Sequence, residues 1–402
     1  MSTNVVSSLS TLPVELLYRL LDYLDIETIL LSFRYVSKKF YIIASNSNHY
    51  NIDFSSISKT HFDSICRRIC PEKIVSITLS DNEITPGQIE LFFSFFQIID
   101  FPRLRSLTLR QIDWKTLHDI LHDLLQCSLT SFLFHSRGKR NKSTFRLLSQ
   151  LIIQSNLQTL SMNTHVHHIE GIFSSSIETQ LVHLTIGTLT FKEYETLLRC
   201  CPFLQVLTID DCWINDTDRV PSNKSYRQVT SLTFRDTNRS MTQLESLLPL
   251  TPALIQLKLI NSPSTPNSLI DGIRWEILIQ SKFSSLKFFQ FVFHQLLLRT
   301  YESDAEVESF VMPFRTSFWL EDKQWFIHCQ SIKSSHTIKL YSIPFSDHSY
   351  EYHFDPSNIF LSTSTRKINS TSVMDHVRCL ALNLTEIKTK QIQKQVRDFI
   401  FE

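Results

Sequence analysis

A short pattern of apolar residues recurs along most of the 402-residue chain. Each copy has an apolar residue, two further residues, a second apolar residue, one more residue and a third apolar residue. The last two apolar positions are two apart, so a β-strand directs them to the same face and the residue between them to the other. The nine copies are Ile74/Ile77/Leu79, Leu104/Leu107/Leu109, Leu129/Phe132/Phe134, Leu157/Leu160/Met162, Leu181/Leu184/Ile186, Leu204/Leu207/Ile209, Val229/Leu232/Phe234, Leu254/Leu257/Leu259 and Leu286/Phe289/Phe291.

The first residues of successive copies are 23 to 32 residues apart. A spacing this regular predicts a stacked repeat and not an ordinary compact domain. One short strand with its return segment cannot enclose a core alone, whereas neighbouring copies stacked side by side bury their apolar positions in one continuous strip. The alternative is chance recurrence in a chain that is 42% hydrophobic, and the nearly constant interval argues against it.

Apolar residues at helical spacing lie between several of the copies. The clearest segment is residues 114–126, where apolar residues from Leu117 to Leu125 follow one helix face. Residues 211–228 contain Pro221 and several charged residues, which predicts a loop. Alternating strands and helices predict an α/β fold with parallel strands and right-handed crossovers. Further helices are predicted at residues 88–99, 142–154, 191–200 and 269–279.

Between about residues 72 and 293 the spacing resembles that of the leucine-rich repeat. That family continues three residues past the third apolar position with an Asn, Cys or Thr, whose side chain satisfies backbone groups in the turn. Only Asn82, Cys212 and Thr237 match this position here, with Ser262 as a possible substitute. The resemblance therefore implies an irregular, leucine-rich-repeat-like solenoid.

The predicted crossovers place the parallel strands on the concave side of the solenoid, where a ligand would lie. Residues that flank the inward apolar positions face this surface, and many of them are small hydroxyl residues. Side chains that can make oriented polar contacts there are candidates for substrate binding, although each is equally well interpreted as a solvated strand residue. The candidates are Arg110, His135, Asn163, His183, Asp210 and Arg235.

Three short helices are predicted before the repeats, between residues 12 and 46. Pro13 suits the first turn of a helix, where its missing N–H costs nothing, and the leucines from Leu16 to Leu24 form one apolar stripe. Asp25 is the predicted cap of a second helix that runs to about residue 33, and Ser37 is the predicted cap of a third.

This helical segment resembles the F-box. The matching motifs are Leu12-Pro13-x-Glu15-Leu16, Tyr23-Leu24-Asp25 and Val36-Ser37-Lys38-Lys39-Phe40, with Phe40 where the family usually has Trp. The resemblance implies docking onto the small Skp-type adaptor that joins F-box proteins to a cullin scaffold in a ubiquitin ligase. By that analogy the adaptor-binding residues are Leu12, Pro13, Leu16, Leu20, Leu24, Leu30, Val36 and Phe40.

A different interpretation is that these helices cap the solenoid and hide its first repeat from water. The two interpretations differ in surface composition. An adaptor site must leave a large apolar patch open in the isolated chain, whereas a cap needs no exposed apolar groove.

Composition excludes several functions. Forty basic and 39 acidic side chains give a net charge of +1. This balance argues against binding to nucleic acid along a basic surface and against binding to an anionic membrane. The five glycines are too far apart for a dinucleotide fingerprint or a P-loop. No apolar window reaches the ~20 residues that a bilayer demands. The first ten residues lack the pattern of a secretory signal, and the eight cysteines are typical of reduced thiols.

We find no motif for catalysis or metal binding. The imidazoles of His165, His167 and His168 have no partner at metal-ligand spacing, so a surface turn is favoured. The acidic residues between Asp210 and Asp218 lack the glycine and the terminal Glu of a calcium loop. Residues 137–142 form a short basic stretch that would suit nuclear import or an acidic partner, but such stretches are more often exposed turns. We expect no enzymatic activity and no cofactor.

After residue 293 the repeat lapses. Residues 314–320 and 325–329 are predicted to form a hairpin, with a third strand at 337–343 and a polar loop over 346–371. A closing strand is predicted at 377–382 and a final helix at 388–399. This segment would fold over the open end of the solenoid, and a separate recognition module is the alternative.

The sequence therefore predicts three parts: a helical F-box over residues 1–50, the solenoid over 51–293 and the C-terminal segment over 294–402. The predicted function is that of a non-catalytic, cytoplasmic or nuclear substrate adaptor in an SCF-type cullin ubiquitin ligase. The solenoid would bind a protein substrate, and no nucleic-acid or membrane partner is expected. A protein-interaction scaffold without a ligase link is the alternative.

Overall fold

A computed structural model shows a mixed α/β fold in which N-terminal helices precede mostly parallel strands. The chain divides into two compact units. Unit 1 comprises residues 1–186 and 200–203, and unit 2 comprises residues 187–199 and 204–402. The structure describes residues 9–46, 50–138, 142–154, 156–163, 172–173, 178–214, 224–235, 239–260, 267–296, 304–333, 335–343, 349–353, 359–364 and 379–383.

Unit 1 begins with the three helical segments that the sequence predicts. The middle segment is continuous through two short α-helical stretches and an intervening π-helical turn. Pro13 is the residue before the first helix and not its first helical residue. The segments are α1 (Val14–Leu21), then α2 (Ile26–Thr28) with the turn Ile29–Phe33 and α3 (Arg34–Val36), then α4 (Lys38–Asn46).

Both predicted caps are present. The Asp25 carboxylate accepts hydrogen bonds from Thr28 N at 2.6 Å and Thr28 Oγ1 at 2.9 Å, which satisfies an otherwise unpaired backbone donor. Partial burial alone would raise the pKa of Asp25, but these hydrogen bonds hold it below its usual value. Phe40 N donates to Ser37 Oγ at 3.3 Å in the same way. Local capping therefore sets where the second and third segments begin.

The rest of unit 1 alternates strands and helices. All neighbouring strands pair in parallel, and their spatial order follows the chain. The strands are β1 (Tyr50–Asp53), β2 (Ile74–Ser80), β3 (Ser106–Asp113), β4 (Ser131–Arg137), β5 (Thr159–Asn163) and β6 (His183–Ile186). The helices are α5 (Lys59–Cys66), α6 (Gln88–Phe95), α7 (Trp114–Leu124) and α8 (Lys142–Gln154).

The apolar positions of the repeat pair in register across these strands. Leu107 lies opposite Phe132, Phe132 opposite Leu160, and Leu160 opposite Leu184. All four side chains are buried. Equivalent positions of successive copies thus form one row of the core, as a stacked repeat requires.

Unit 2 continues the same pattern over its first part. Leu207 lies opposite Leu232, Leu232 opposite Leu257, and Leu257 opposite Phe289, so all nine triplets of the sequence form parallel strands. The strands are β7 (Leu189–Thr190), β8 (Val206–Ile209), β9 (Cys212–Trp213), β10 (Ser231–Phe234), β11 (Gln256–Ile260) and β12 (Phe288–Leu296). The helices are α9 (Phe191–Cys200), α10 (Met241–Leu247) and α11 (Gly272–Lys282).

Several boundaries differ from the sequence prediction. Helices α5 and α10 and strand β1 were not predicted, because their apolar positions are few and fall outside the triplet pattern. The helix predicted at 88–99 ends at Phe95 and is followed by a 3-10 turn over Ile98–Asp100. In the predicted loop at 211–228, β9 pairs with β7, and residues 215–223 lie outside the described residues.

Beyond β12 the pairing of the strands changes. The elements are α12 (Asp304–Val311), β13 (Phe326–Ile332), β14 (Thr337–Ile343), β15 (Ser349–His353), β16 (Ile359–Ser362) and β17 (Cys379–Asn383). Strand β12 pairs with β14, β14 with β13, and β13 with β16, and all three pairs are antiparallel. Strand β17, near the predicted closing strand, pairs in parallel with β15, a segment that was predicted to be loop. The predicted helix at 388–399 lies outside the described residues.

The predicted hairpin between residues 314–320 and 325–329 is wrong. Residues 318–322 form a π-helical turn, and the hairpin forms between β13 and β14. Phe318 and Trp319 are adjacent and both buried, which a strand with its alternating side chains could not achieve on a one-sided core. Trp319 Nε1 also donates to Gly272 O at 3.3 Å, so the turn is fastened to the start of α11.

Within the described residues, no helix is long and apolar enough to cross a membrane. Seven described cysteines are free thiols, and most of them are buried. Burial raises the pKa of Cys66 and Cys329 to about 12, so these thiols stay protonated and serve as core residues. His165, His167, His168 and residues 139–141 of the basic stretch lie outside the described residues.

Candidate docking surface on the N-terminal helices

Large apolar and aromatic side chains are unusually exposed on the N-terminal helices. Of the 21 such side chains that are exposed in the described part of the chain, eight lie between residues 9 and 42. We call these eight the exposed apolar set. Folded monomers rarely leave apolar surface concentrated in this way unless another molecule covers it. The set is Leu9, Val14, Leu16, Tyr23, Tyr35, Val36, Tyr41 and Ile42.

Some leucines of helix α1 are buried, and others are exposed or half-buried. Leu17 and Leu21 are one turn apart and buried, whereas Leu16 is 46% exposed. Leu20 and Leu24 are half-buried, as is Leu12 just before the helix. The apolar stripe is therefore wider than the core beneath it, and its outer edge is accessible to a partner.

The second and third helical segments likewise have some apolar side chains that are buried and others that are exposed. Leu30 (6% exposed) and Phe40 (2% exposed) are buried within the helical layer, so neither side chain offers a surface in this conformation. Val36, by contrast, is 67% exposed at the end of α3. Of the eight residues implied by the F-box resemblance, Leu12, Pro13, Leu16, Leu20, Leu24 and Val36 are at least partly accessible.

Specific contacts hold the accessible residues in place. Lys39 Nζ, at the start of α4, donates to the backbone oxygen of Leu12 at 2.8 Å and so fastens the entry of α1 to α4. The Arg34 guanidinium lies over the Tyr41 ring, 4.8 Å from its centroid, and 5.9 Å from that of Tyr35. The first contact links two parts of the helical segment that are 27 residues apart in the sequence.

Six members of the set were not predicted as site residues. Tyr23 is 90% exposed, and the other five, also exposed, are Leu9, Val14, Tyr35, Tyr41 and Ile42. Tyr23 lies within a motif that carried the family resemblance, so its position in the sequence was informative. Tyr35, Tyr41 and Ile42 lie close in the sequence to buried residues such as Phe33, Phe40 and Ile43, and only the packing of the helices against one another shows which side chains remain outside.

The predicted substrate-binding residues fall into separate groups. In unit 1, Arg110 lies opposite His135, and His135 opposite Asn163, so the three form one row at the ends of β3, β4 and β5. Arg110 is exposed and His135 half-buried. His183 does not share this row, because it lies opposite Thr159 at the start of β5.

In unit 2, Asp210 and Arg235 each follow the last residue of a strand. Those last residues, Ile209 and Phe234, lie opposite each other, and Arg235 N donates to Ile209 O at 3.0 Å. Asp210 and Arg235 are therefore close neighbours at adjacent strand ends. An opposite-charge pair at this position can contact an oriented polar partner.

The acidic stretch after β8 includes a structural ion pair. Arg239 donates from Nε to Asp211 Oδ1 at 3.1 Å and from Nη2 to Asp211 Oδ2 at 2.7 Å, and both side chains are largely buried. Asp216 and Asp218 lie outside the described residues. No group of three or more candidate metal ligands occurs in the described ranges.

A family model for the F-box domain matches residues 9–51, which is about a tenth of the chain. The match covers α1 to α4 and the first residues of β1, and it contains the whole exposed apolar set. F-box domains generally bind Skp-type adaptors and generally serve as non-catalytic substrate adaptors of SCF-type ligases. No curated protein matches the chain.

Proposed function

We propose that this protein is a substrate-recognition adaptor of an SCF-type cullin ubiquitin ligase. The F-box match over residues 9–51, on helices that leave eight large apolar side chains exposed, is the observation that carries the proposal. A helical cap of the kind considered above would not need this exposed surface. The proposal assigns no catalytic residue and no cofactor to the chain.

The docking surface for the Skp-type adaptor consists of the accessible members of the predicted set together with the neighbouring tyrosines. Leu16 and Val36 supply apolar side chains that lose water on docking, at about 25 cal/mol for each Å² of apolar surface removed. Leu30 and Phe40 support this surface from beneath. Tyr35 and Tyr41 combine large apolar area with a hydroxyl, which makes them suited to the centre of an interface.

The strands from residue 74 to residue 296 form, in this proposal, an irregular leucine-rich-repeat-like solenoid that binds the substrate protein. The in-register rows of buried residues within each unit support a repeat architecture. The row of Arg110, His135 and Asn163 in unit 1 and the pair of Asp210 and Arg235 in unit 2 are the proposed contact points. His183 is a separate contact. The three-part organisation at residues 1–50, 51–293 and 294–402 belongs to the same proposal.

The mechanism is positional. The chain holds the substrate near a ubiquitin-charged enzyme that the ligase carries, so a bimolecular encounter becomes nearly intramolecular. The gain comes from the raised effective concentration of a substrate lysine and requires no new chemistry from this chain.

Co-purification tests the adaptor assignment. Wild-type chain expressed in cells is expected to recover a Skp-type adaptor, and the Pro13→Ala, Leu16→Ala double variant is expected to recover much less of it. Ile277→Ala is the matched control, because Ile277 is an exposed apolar residue on α11 in unit 2. Recovery of no adaptor by wild-type chain would favour a scaffold without a ligase link.

A second experiment tests the substrate surface. Arg110→Ala with His135→Ala is expected to lose partner proteins that wild type recovers, while adaptor recovery is unchanged. Arg146→Ala is the control, since Arg146 is exposed on helix α8 and not on a strand. If all three chains recover the same proteins, the row at the ends of β3 to β5 does not bind substrate.

A further inference from the structure

A cavity of about 180 Å³ lies inside unit 1, where the N-terminal helices meet β1 and the end of α5. None of the eight residues of the exposed apolar set lines it. Both basic and apolar residues line the cavity. The basic ones are Arg34, Arg68 and Lys73, and the apolar ones include Ile26, Leu30 and Ile69.

The cavity is strongly positive. Three of its described lining residues are Arg or Lys, and none of the described ones is Asp or Glu. The C-terminal end of α4 also contributes, because Ala44 and Ser45 are part of the wall. A helix C-terminus carries only about half a negative charge, so it leaves most of the positive charge uncompensated.

Arg34 is the most informative residue. Its Nε is fully buried and has no hydrogen-bond partner, and its guanidinium makes no ion pair with any residue that the structure describes. A buried polar donor without a partner is destabilising, and more so if it is charged. Buried groups of this kind usually meet a ligand, an ion or water.

The other two cations have structural contacts but keep free donors. Lys73 Nζ donates to Ser45 O, and Arg68 Nη1 donates to Ser64 O at 2.8 Å. An ammonium has three donors and a guanidinium has five, so each of these groups can bind a second acceptor. The three positive charges around this small cavity exceed the partial negative charge at the C-terminal end of α4.

We infer that this cavity binds a phosphate group. Guanidinium groups match phosphate oxygens in geometry and form charge-assisted hydrogen bonds with them. The volume is far larger than the roughly 15 Å³ that one water needs, so a phosphate and the first carbons of an ester fit. The apolar lining residues Ile26, Leu30 and Ile69 suit those carbons. The inference does not depend on adaptor docking.

Titration calorimetry with inorganic phosphate tests the site on the full-length chain, with chloride at matched ionic strength as the blank. Wild type is expected to bind one phosphate saturably. Arg34→Met keeps an aliphatic side chain of similar length but lacks the guanidinium, and it is expected to bind at least about tenfold more weakly, since it loses the charge-assisted hydrogen bonds of that group.

Arg67→Met is the matched control, because Arg67 is exposed at the end of α5 and does not line the cavity. It is expected to bind phosphate as wild type does. Circular dichroism shows whether Arg34→Met is folded. If it is not, phosphate binding by Arg68→Met, which removes another lining guanidinium, is the test of the site. Absence of saturable binding by wild type, or equal binding by wild type and the cavity variant, would overturn the inference.

A second arm identifies the source of the phosphate. O-phosphoserine within a capped tripeptide is compared with glycerol 3-phosphate in the same titration. Tighter binding of the peptide supports a phosphorylated residue as the ligand, and tighter binding of glycerol 3-phosphate supports a small phosphate ester. If neither binds more tightly than chloride, the phosphate assignment is wrong.

Discussion

Phe33 and Phe40 stack face to face, with ring centroids 4.6 Å apart and an angle of 17° between the ring planes. This contact joins the π-helical turn after α2 to helix α4, and both side chains are buried. The stack fixes the relative position of two elements whose outer faces carry Tyr35, Val36 and Tyr41. Core packing therefore determines the shape of the proposed docking surface.

Phe40→Ala tests this packing role. Loss of a buried phenyl ring and of its stacking partner is expected to lower the free energy of unfolding by about 3–5 kcal/mol. The measurement is urea unfolding followed by circular dichroism. Tyr41→Ala is the control on the next residue of α4, and it is expected to cost no more than about 1 kcal/mol, because Tyr41 is exposed and loses only a cation–π contact. Equal losses for both variants would contradict the assignment of Phe40 to the core.

The ion pair between Arg239 and Asp211 is expected to stabilise unit 2. Arg239→Met leaves the largely buried Asp211 carboxylate without this partner, and removal of one member of a buried pair costs about 3 kcal/mol or more. The more exposed pair of Arg315 and Glu308 is the comparison, and Arg315→Met is expected to cost about 0–1 kcal/mol. Thermal unfolding of the two variants measures the loss of stability in each. A larger loss for Arg315→Met than for Arg239→Met would be inconsistent with the structure.

Gly272→Ala is expected to destabilise the protein although alanine is the better helix former. An added Cβ would lie 2.6 Å from Pro313 O and 2.8 Å from Pro313 C, and backbone atoms cannot move aside as a flexible side chain can. Overpacking of this kind costs about 1–3 kcal/mol. Helix propensity alone predicts the opposite sign, a gain of about 1 kcal/mol. Chemical denaturation gives the sign, and a stabilised variant would show that α11 does not pack against Pro313.

Burial lowers the pKa of His328 to about 4, and its ring packs 5.5 Å from that of Tyr341. An unfolded histidine has a pKa of about 6.5, so between pH 6.5 and pH 4 the unfolded chain binds a proton that the folded chain does not. The stability that a neutral His328 provides is therefore lost as the pH falls through this window. The loss reaches at most about 3.5 kcal/mol, at about 1.4 kcal/mol for each pKa unit.

Urea unfolding of wild type and His328→Gln from pH 7 to pH 4 tests this. The difference in stability between the two chains is expected to change across the window, because the variant lacks the titrating group. His122→Gln is the control, since His122 is exposed on α7. A difference that stays constant with pH would show that His328 is not held neutral in the folded state.

The sequence predicted the repeated strands because their signal is strong and local. Each triplet places two apolar residues two apart, and the burial of Leu107 and Leu109 shows the expected single inward face. The caps at Asp25 and Ser37 were predictable for the same reason, since the interaction spans three residues.

The C-terminal part was predicted less well because its structure depends on distant partners. Strand β14 pairs with β12, and β17 with β15, across sequence separations that no local pattern encodes. Trp319 lies in a helical turn because of its contact with Gly272, which is 47 residues away. A run of aromatic residues alone could not distinguish this turn from a strand.

The residues of the proposed docking surface were partly predictable. Motif spacing indicated the segment, but the division between inner and outer faces depends on how three short helices pack. Leu16 and Leu17 are neighbours in the sequence, yet only Leu16 is exposed. The row of Arg110 and His135 depends likewise on the register between β3 and β4. The regular recurrence of the triplets indicated this register, and the strand pairing shows it.

Titration of the purified full-length chain with a purified Skp-type adaptor tests the central claim most directly. Wild type is expected to bind one adaptor saturably. Leu16→Asp and Val36→Asp are each expected to weaken binding at least about tenfold, because a carboxylate would be desolvated at the interface without a partner. Ile277→Asp, which places the same charge on α11, is expected to bind as wild type does. Absence of binding by wild type, or equal affinities for all four chains, would contradict the proposal that the N-terminal helices dock the ligase adaptor.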